Sequence, residues 1–235
     1  MKNAMPDQAW RSVLWTLRYL ASNLTSAQTV NQLYPFPTPM DTPRTFSADT
    51  EAALWQQVAA DMAQEPDLLE YTANLQQNGH TIQLDIDIDM GGGFEGGYET
   101  TTFTAVVPRP VALRFALHEQ DWIHELGKLL GLTDVELGYP ELDAAYIITT
   151  NDKEALRALF SDPAIQQTLL KYQEMRLTLA PSHHEDDSEL YLTFLKEQAI
   201  LEPEQLQEIY HLLYTLLQQL APTSVAAVPL SNLQA

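Results

Sequence analysis

The chain has 235 residues and carries 12 Lys and Arg against 32 Asp and Glu, a formal net charge of -20 and a pI near 4.4. Only 19% of residues are charged, below the roughly 25% typical of globular chains, so the imbalance reflects missing cations, and 19 glutamines supply polarity where lysine usually would. Too few cations remain to neutralise phosphates or approach an anionic membrane, and the absence of cysteine removes disulfides, thiol nucleophiles and cysteine-ligated metals.

Residues 7–24 place Trp10, Val13, Leu14, Leu17, Leu20, Ala21 and Leu24 at helical spacing after Pro6-Asp7. Four prolines in 33–44 then predict an extended connector, since proline fixes φ and removes a donor. A second helix is expected from about Ser47–Thr50, with Leu54, Trp55, Val58 and Met62 on its buried stripe. A third, over 67–77, would use Leu68, Leu69, Tyr71 and Leu75 and stop at Asn78-Gly79.

After Gly79 the hydrophobic period changes to two. Ile82, Leu84, Ile86, Ile88 and Met90 alternate with Gln83, Asp85, Asp87 and Asp89, the pattern of a strand with one buried and one wet face. A glycine-rich turn (91–97) leads to a strand over 99–107, and Pro108 and Pro110 separate it from another over 111–118; the three read as an antiparallel meander. A helix over 119–130, closed by Gly131, and a strand over 145–150 come next. Asn151 and Glu154 have capping-box spacing for the next helix, and Asp162-Pro163 starts another. Segments 175–180 and 189–195 predict a hairpin, and 203–221 a final amphipathic helix ended by Pro222.

The expected fold class is α+β: a mainly antiparallel sheet of about 5–6 strands with helices packed on it, preceded by an N-terminal helical region. The expected divisions are the helical region 1–78, an α+β domain 79–222 and a loose tail 223–235. No run approaches 18 apolar residues and no signal-peptide core is visible, so a soluble cytoplasmic protein is expected.

Asp85, Asp87 and Asp89 place three carboxylates on one strand face, about 7 Å apart, ahead of a glycine turn. An oxygen-liganded Ca²⁺ or Mg²⁺ site is conceivable there. The EF-hand register fails, because the positions needing glycine and a bidentate glutamate hold Met90 and Gly96. The simpler reading is a solvated face, with Arg114 on a neighbouring strand as counter-ion in a pair contributing roughly 0.2–1 kcal/mol.

The glycine turn matches no phosphate loop, and its acidic surroundings (Glu95, Glu99) would repel phosphate. His124-Glu125 opens a zinc-protease pattern whose second histidine is replaced by Lys128. His118 need not share a face with His124. The His183-His184-Glu185-Asp186-Asp187 tip reads as an exposed loop rather than a metal site. No nucleophile elbow is present. These failures leave no catalytic, cofactor-binding or metal residues assigned and no cofactor expected.

The block 135–170 carries a Gly138-Tyr139-Pro140-Glu141-Leu142-Asp143 step, a strand, and an Asn151-Asp152 turn into a helix. It resembles an uncharacterised bacterial domain-of-unknown-function family with a Gly-x-Pro-x-Leu/Phe-Asp step, over roughly residues 80–221. The resemblance implies a hairpin at 175–195, a closing helix and, in many members, neighbouring transmembrane helices, which this chain lacks. It brings no activity. Physically, Pro140 stiffens the approach, Asp143 ties the turn to backbone amides, and Asn151 or Asp152 caps the helix.

Residues 19–108 hold 12 acids and one cation, Arg44; residues 181–235 hold 8 acids and only Lys196. The expected function is therefore protein–protein contact by a non-enzymatic acidic protein with a basic partner, without nucleic acid or membrane. A divalent-metal-dependent module or enzyme using Asp85, Asp87 and Asp89 is the alternative.

Overall fold

Compactness divides the chain into Met1–Pro43 and Arg44–Ala235. The computed structural model describes residues 43–65, 67–92, 96–108, 110–119, 132–181 and 189–221. The helices expected at 7–24 and over most of 119–130, the 182–188 tip and the tail lie outside the described residues.

Thr50 opens the first described helix, α1 (Glu51–Met62), its hydroxyl accepting from Ala53 N at 3.3 Å, with Glu51 in the first turn. A side-chain oxygen there satisfies an orphan amide, and an acid beside it meets the positive end of the helix dipole. Leu54, Trp55, Val58 and Met62 are the buried residues, the stripe read from the sequence.

Two strands flank this helix where none was expected. β1 (Arg44–Ser47) begins at the last residue of the proline-rich connector and pairs in parallel with β2 (Glu70–Gln77). The helix expected over 67–77 is this strand. Tyr71 and Leu75 are four apart and satisfy helical spacing, but with Ala73 and Gln77 they also form a period of two, and those four are its buried residues. Asn78 (φ 47°) and Gly79 (φ 82°) are not a helix stop. They form the two-residue turn that sets Gln77 opposite His80 and starts β3 (His80–Asp89). Adjacent positive φ values are what a tight hairpin of this hand requires.

β4 (Tyr98–Val107) continues the meander antiparallel to β3. Within the glycine turn, Gly97 is sterically fixed: a Cβ there would stand 2.3 Å from the Asp89 carbonyl oxygen. The meander ends at β4. β5 (Phe115–His118) is shorter than expected and does not pair with β4. Its neighbours are β7 (Ile147–Thr150) and β8 (Met175–Pro181), while β9 (Leu190–Lys196) fills the place beside β4. A short strand, β6 (Thr133–Asp134), closes the far edge on β7. Among the described residues the sheet thus has nine strands in the order β1-β2-β3-β4-β9-β8-β5-β7-β6 and is mixed, larger than the five or six expected. Strands from segment 44–78 belong to the same sheet as those from 79–196.

Among the described residues, the remaining helices are α2 (Pro140–Ala145), α3 (Lys153–Leu159), α4 (Pro163–Lys171) and α5 (Pro203–Leu220). In the block carrying the Gly-x-Pro-x-Leu-Asp step, Asp143 Oδ1 and Oδ2 accept from Leu137 N and Gly138 N, each at 2.8 Å. Asp152, not Asn151, caps α3 through Ala155 N at 3.0 Å. Asn151 instead reaches the segment before β5, accepting from Arg114 N at 2.7 Å and donating to Ala112 O at 2.8 Å. Asp162 caps α4 through Ala164 N at 2.8 Å, as expected.

Pairing registers sort the strands into two faces. Tyr71, Ala73, Leu75, Ile82, Leu84, Ile86, Phe103, Ala105, Leu192, Phe194, Leu177 and Leu179 line one, all buried. Helix contacts run to this face. Asp61 of α1 accepts from the Tyr71 hydroxyl, Tyr210 of α5 donates to Gln77 Oε1 at 3.0 Å, and Phe160 after α3 meets Phe115 edge-on at 5.6 Å. Burying each such apolar side chain contributes about 1.5–3 kcal/mol. Over β2–β4 and β8–β9, the opposite face is mainly polar: Thr72, Asn74, Gln83, Asp85, Asp87, Thr100, Thr178 and Thr193 are partly accessible, Thr102 and Thr104 are buried, and Val106, Leu195 and Arg176 also stand on it. Among the described residues no helix is long and apolar enough to cross a membrane.

Candidate functional site

Strand alternation places Asp85, Asp87 and Asp89 on the polar face, together with Glu70, which pairs with Asp87. Each aspartate is held by a different donor. Asp85 Oδ2 accepts from the Thr72 hydroxyl at 3.3 Å, Asp87 Oδ2 from the Tyr98 hydroxyl at 2.7 Å, and Asp89 Oδ1 from Gly91 N at 2.8 Å. Among the described residues no group of three or more His, Asp or Glu side chains is placed to hold a metal ion. Arg114 is not their cross-strand counter-ion. It immediately precedes β5, which is separated from β3 by β4, β9 and β8, or about 19 Å at ordinary strand spacing. Its guanidinium donates to the Val111 and Leu113 carbonyls at 3.0 and 2.9 Å.

His118 is buried, with Nδ1 2.8 Å from the Glu119 carbonyl. His124, Glu125, Lys128 and the His183–Asp187 tip lie outside the described residues.

The sequence does not point to a second site, a cleft of about 410 Å³ where α4 turns into β8 and β9 runs into the loop before α5. Its walls include Lys171, Glu174, Lys196, Gln173, Gln198 and Gln205. Lys196 occupies the next inward position after Leu190, Leu192 and Phe194, so strand alternation carries an ammonium to the end of the apolar face, and the residue is only 8% exposed. Its Nζ donates to the Gln173 carbonyl at 2.6 Å and stands 3.8 Å from Glu174 Oε2. Glu174 has φ 59°, in the left-handed region, while its amide donates to Glu119 Oε1 at 3.0 Å.

Lys171 pairs with Glu208 of α5 and lies 5.2 Å from the Tyr172 ring centroid. The Tyr172 hydroxyl donates to Glu208 Oε2 at 2.7 Å. Hydrogen bonds from Lys171 and then Tyr172 hold the Glu208 carboxyl below its ordinary range, and burial followed by Glu208 pushes the Tyr172 phenol up. The loop forming the opposite wall is pinned to β4. The Thr101 hydroxyl donates to Gln198 O at 2.8 Å and accepts from Ile200 N at 2.9 Å.

Beyond Glu208 a smaller cleft of about 330 Å³ holds Glu51, Thr168, Glu204, Gln207 and His211. There Glu51 accepts from Gln207 Nε2 at 2.9 Å and faces His211 Nδ1 at 2.7 Å. The signal for the larger cleft lies in Lys196, the one cation in 181–235, at an inward strand position. Its convergence with Lys171 and Glu174 exists only in the folded chain.

Fold and sites together define an α+β protein with a nine-stranded mixed sheet, one face built for helices and the other polar. Neither a protein-family model, nor a curated protein, nor a solved structure matches the chain.

Proposed function

We propose that this is a non-catalytic binding protein that meets a basic protein partner through the polar face of β2–β4. The observation that carries this reading is one of placement. Glu70, Asp85, Asp87 and Asp89 share that face, and β2, β3 and β4 contain no Lys or Arg. Four carboxylates at strand spacing, with Thr72 and Thr100 partly accessible beside them, attract a cationic surface. Such complementarity chiefly raises the association rate and makes it sensitive to salt.

Membership of the uncharacterised bacterial family belongs to the same reading, supported by the two hydrogen bonds that the Asp143 carboxylate accepts from the Leu137 and Gly138 amides of its motif. The divalent-cation alternative would need the three aspartates to converge, whereas each is engaged by a separate donor.

Affinity purification at low and high salt tests the proposal, with the wild-type chain beside an Asp85→Asn/Asp87→Asn/Asp89→Asn variant. The expected outcome is a basic protein retained by wild type, released by salt and lost with the variant. Recovery of no basic protein at low salt, or equal recovery by the variant, would overturn it.

A further inference from the structure

We infer that the cleft between Lys171, Glu174 and Lys196 binds a small zwitterion, with a free amino acid as the chemical class that fits. Lys196 and Glu174 form an ion pair left open. Charge-assisted hydrogen bonds close to about 2.7–2.9 Å, yet Lys196 Nζ and Glu174 Oε2 stand 3.8 Å apart. An ammonium has three donors, and the Lys196 ammonium directs one to Gln173 O while its side chain is 10% exposed. A nearly buried cation in such a position favours an incoming carboxylate, because little water remains to compete.

Glu174 supplies the complementary half. Its side chain is 81% exposed, and its backbone adopts a left-handed conformation that glycine would take without strain. A non-glycine residue held there carries backbone strain, and such strain clusters at functional positions. A ligand carboxylate on Lys196 and a ligand ammonium on Glu174 would complete both partners at once. A simple anion satisfies only the first and is repelled by the second.

Size and lining agree. About 410 Å³ is at the lower end for small-molecule sites. Gln173, Gln198 and Gln205 offer the remainder of the ligand both amide donors and acceptors. The Gln198 wall is preorganised by Thr101, and Lys171 is fixed by Glu208. The site is distinct from the acidic face, since Lys196 points to the helix-covered side of the sheet.

The test is a thermal-shift and calorimetric screen of the full chain against the common free amino acids, with succinate and inorganic phosphate as comparison probes at constant ionic strength. At least one amino acid should raise the melting temperature in a dose-dependent way. Lys196→Met and Glu174→Gln should each weaken its binding roughly tenfold or more, the loss expected for one charge-assisted bond. Blocking the ligand's amine by acetylation should be tolerated far better by Glu174→Gln than by wild type. Glu174 is exposed, so that variant keeps the fold and the comparison stands even if Lys196→Met unfolds. Binding of no amino acid, tighter binding of succinate or phosphate, or amino-acid binding indifferent to Glu174→Gln would each overturn the inference.

Discussion

The two faces of β3 and β4 lie one residue apart in sequence and are held by different physics. On one, Leu84 stands opposite Phe103, which pairs in turn with Phe194 of β9, and all three are fully buried. On the other, Asp85 stands opposite Thr102, and Asp87 opposite Thr100. The first face derives its stability from removed water and dense packing, so each side chain there depends on its neighbours. The second is built from polar side chains, some held by single hydrogen bonds and partly hydrated, as Asp85 and Asp87 are, while Thr102 and Thr104 in the middle of β4 are buried. Function that varies without unfolding the chain therefore has room on the polar face and at the sheet's ends.

Mutating across this boundary gives the largest contrast. Phe103→Ala should destabilise by about 3–5 kcal/mol through lost transfer energy and the cavity left behind, read as the midpoint of urea unfolding. A smaller effect separates acids that build the fold from acids that face solvent. Asp143 serves two backbone amides, so Asp143→Ala should cost about 1–3 kcal/mol by leaving those donors unmatched. Asp87 is held by one phenol at the sheet's rim, and Asp87→Asn should stay within about 0.5 kcal/mol. Equal losses from Asp143→Ala and Asp87→Asn would collapse the distinction.

The smallest predicted effect is a pH dependence. Burial holds the His80 imidazole below its ordinary value of 6.5, where its ring meets Tyr214 edge-on at 5.8 Å. The unfolded chain therefore takes up the proton first as pH falls. The stability associated with neutral His80 is complete above about pH 6.5 and declines as pH drops through the lowered folded value. A His80→Gln variant should show a shallower acid limb below pH 6.5 in melting temperature. An unchanged slope would remove His80 as a source of it.

Local signals survive the passage from sequence to structure where capping and period agree. α1 begins at a hydroxyl cap and buries the four residues expected, and α5 keeps its stripe from Leu206 to Leu217. Asp143 is legible as a backbone tie because a carboxylate closely preceded by Gly and Pro has few other uses in a tight turn. β2 misleads because Tyr71 and Leu75 satisfy both periods, and the deciding pair, Asn78-Gly79, suits a helix stop as well as a hairpin turn. β1 is hidden by neighbouring prolines. The order β4-β9-β8-β5 has no local signature, since which strand pairs with which is settled by distant segments burying one another's faces. The lysine cleft is invisible for the same reason: Lys171, Glu174 and Lys196 come from a helix end, a turn and a strand end.

The placement of β9 beside β4 has a consequence for how the chain matures. Thr101 pairs with Lys196 and Val107 with Leu190, so the middle of the sheet is joined by residues far apart along the chain. Such non-local pairing is slow to form, because loop-closure entropy must be met before contacts compensate for it. During synthesis β2, β3 and β4 emerge first and can form their hairpins, but the outer edge of β4 stays unpaired until residue 196 has been made. An open edge rich in threonine, valine and phenylalanine is a template for pairing with another chain. A chain truncated before Leu190 should consequently associate edge to edge and precipitate, while one that retains β9 should not.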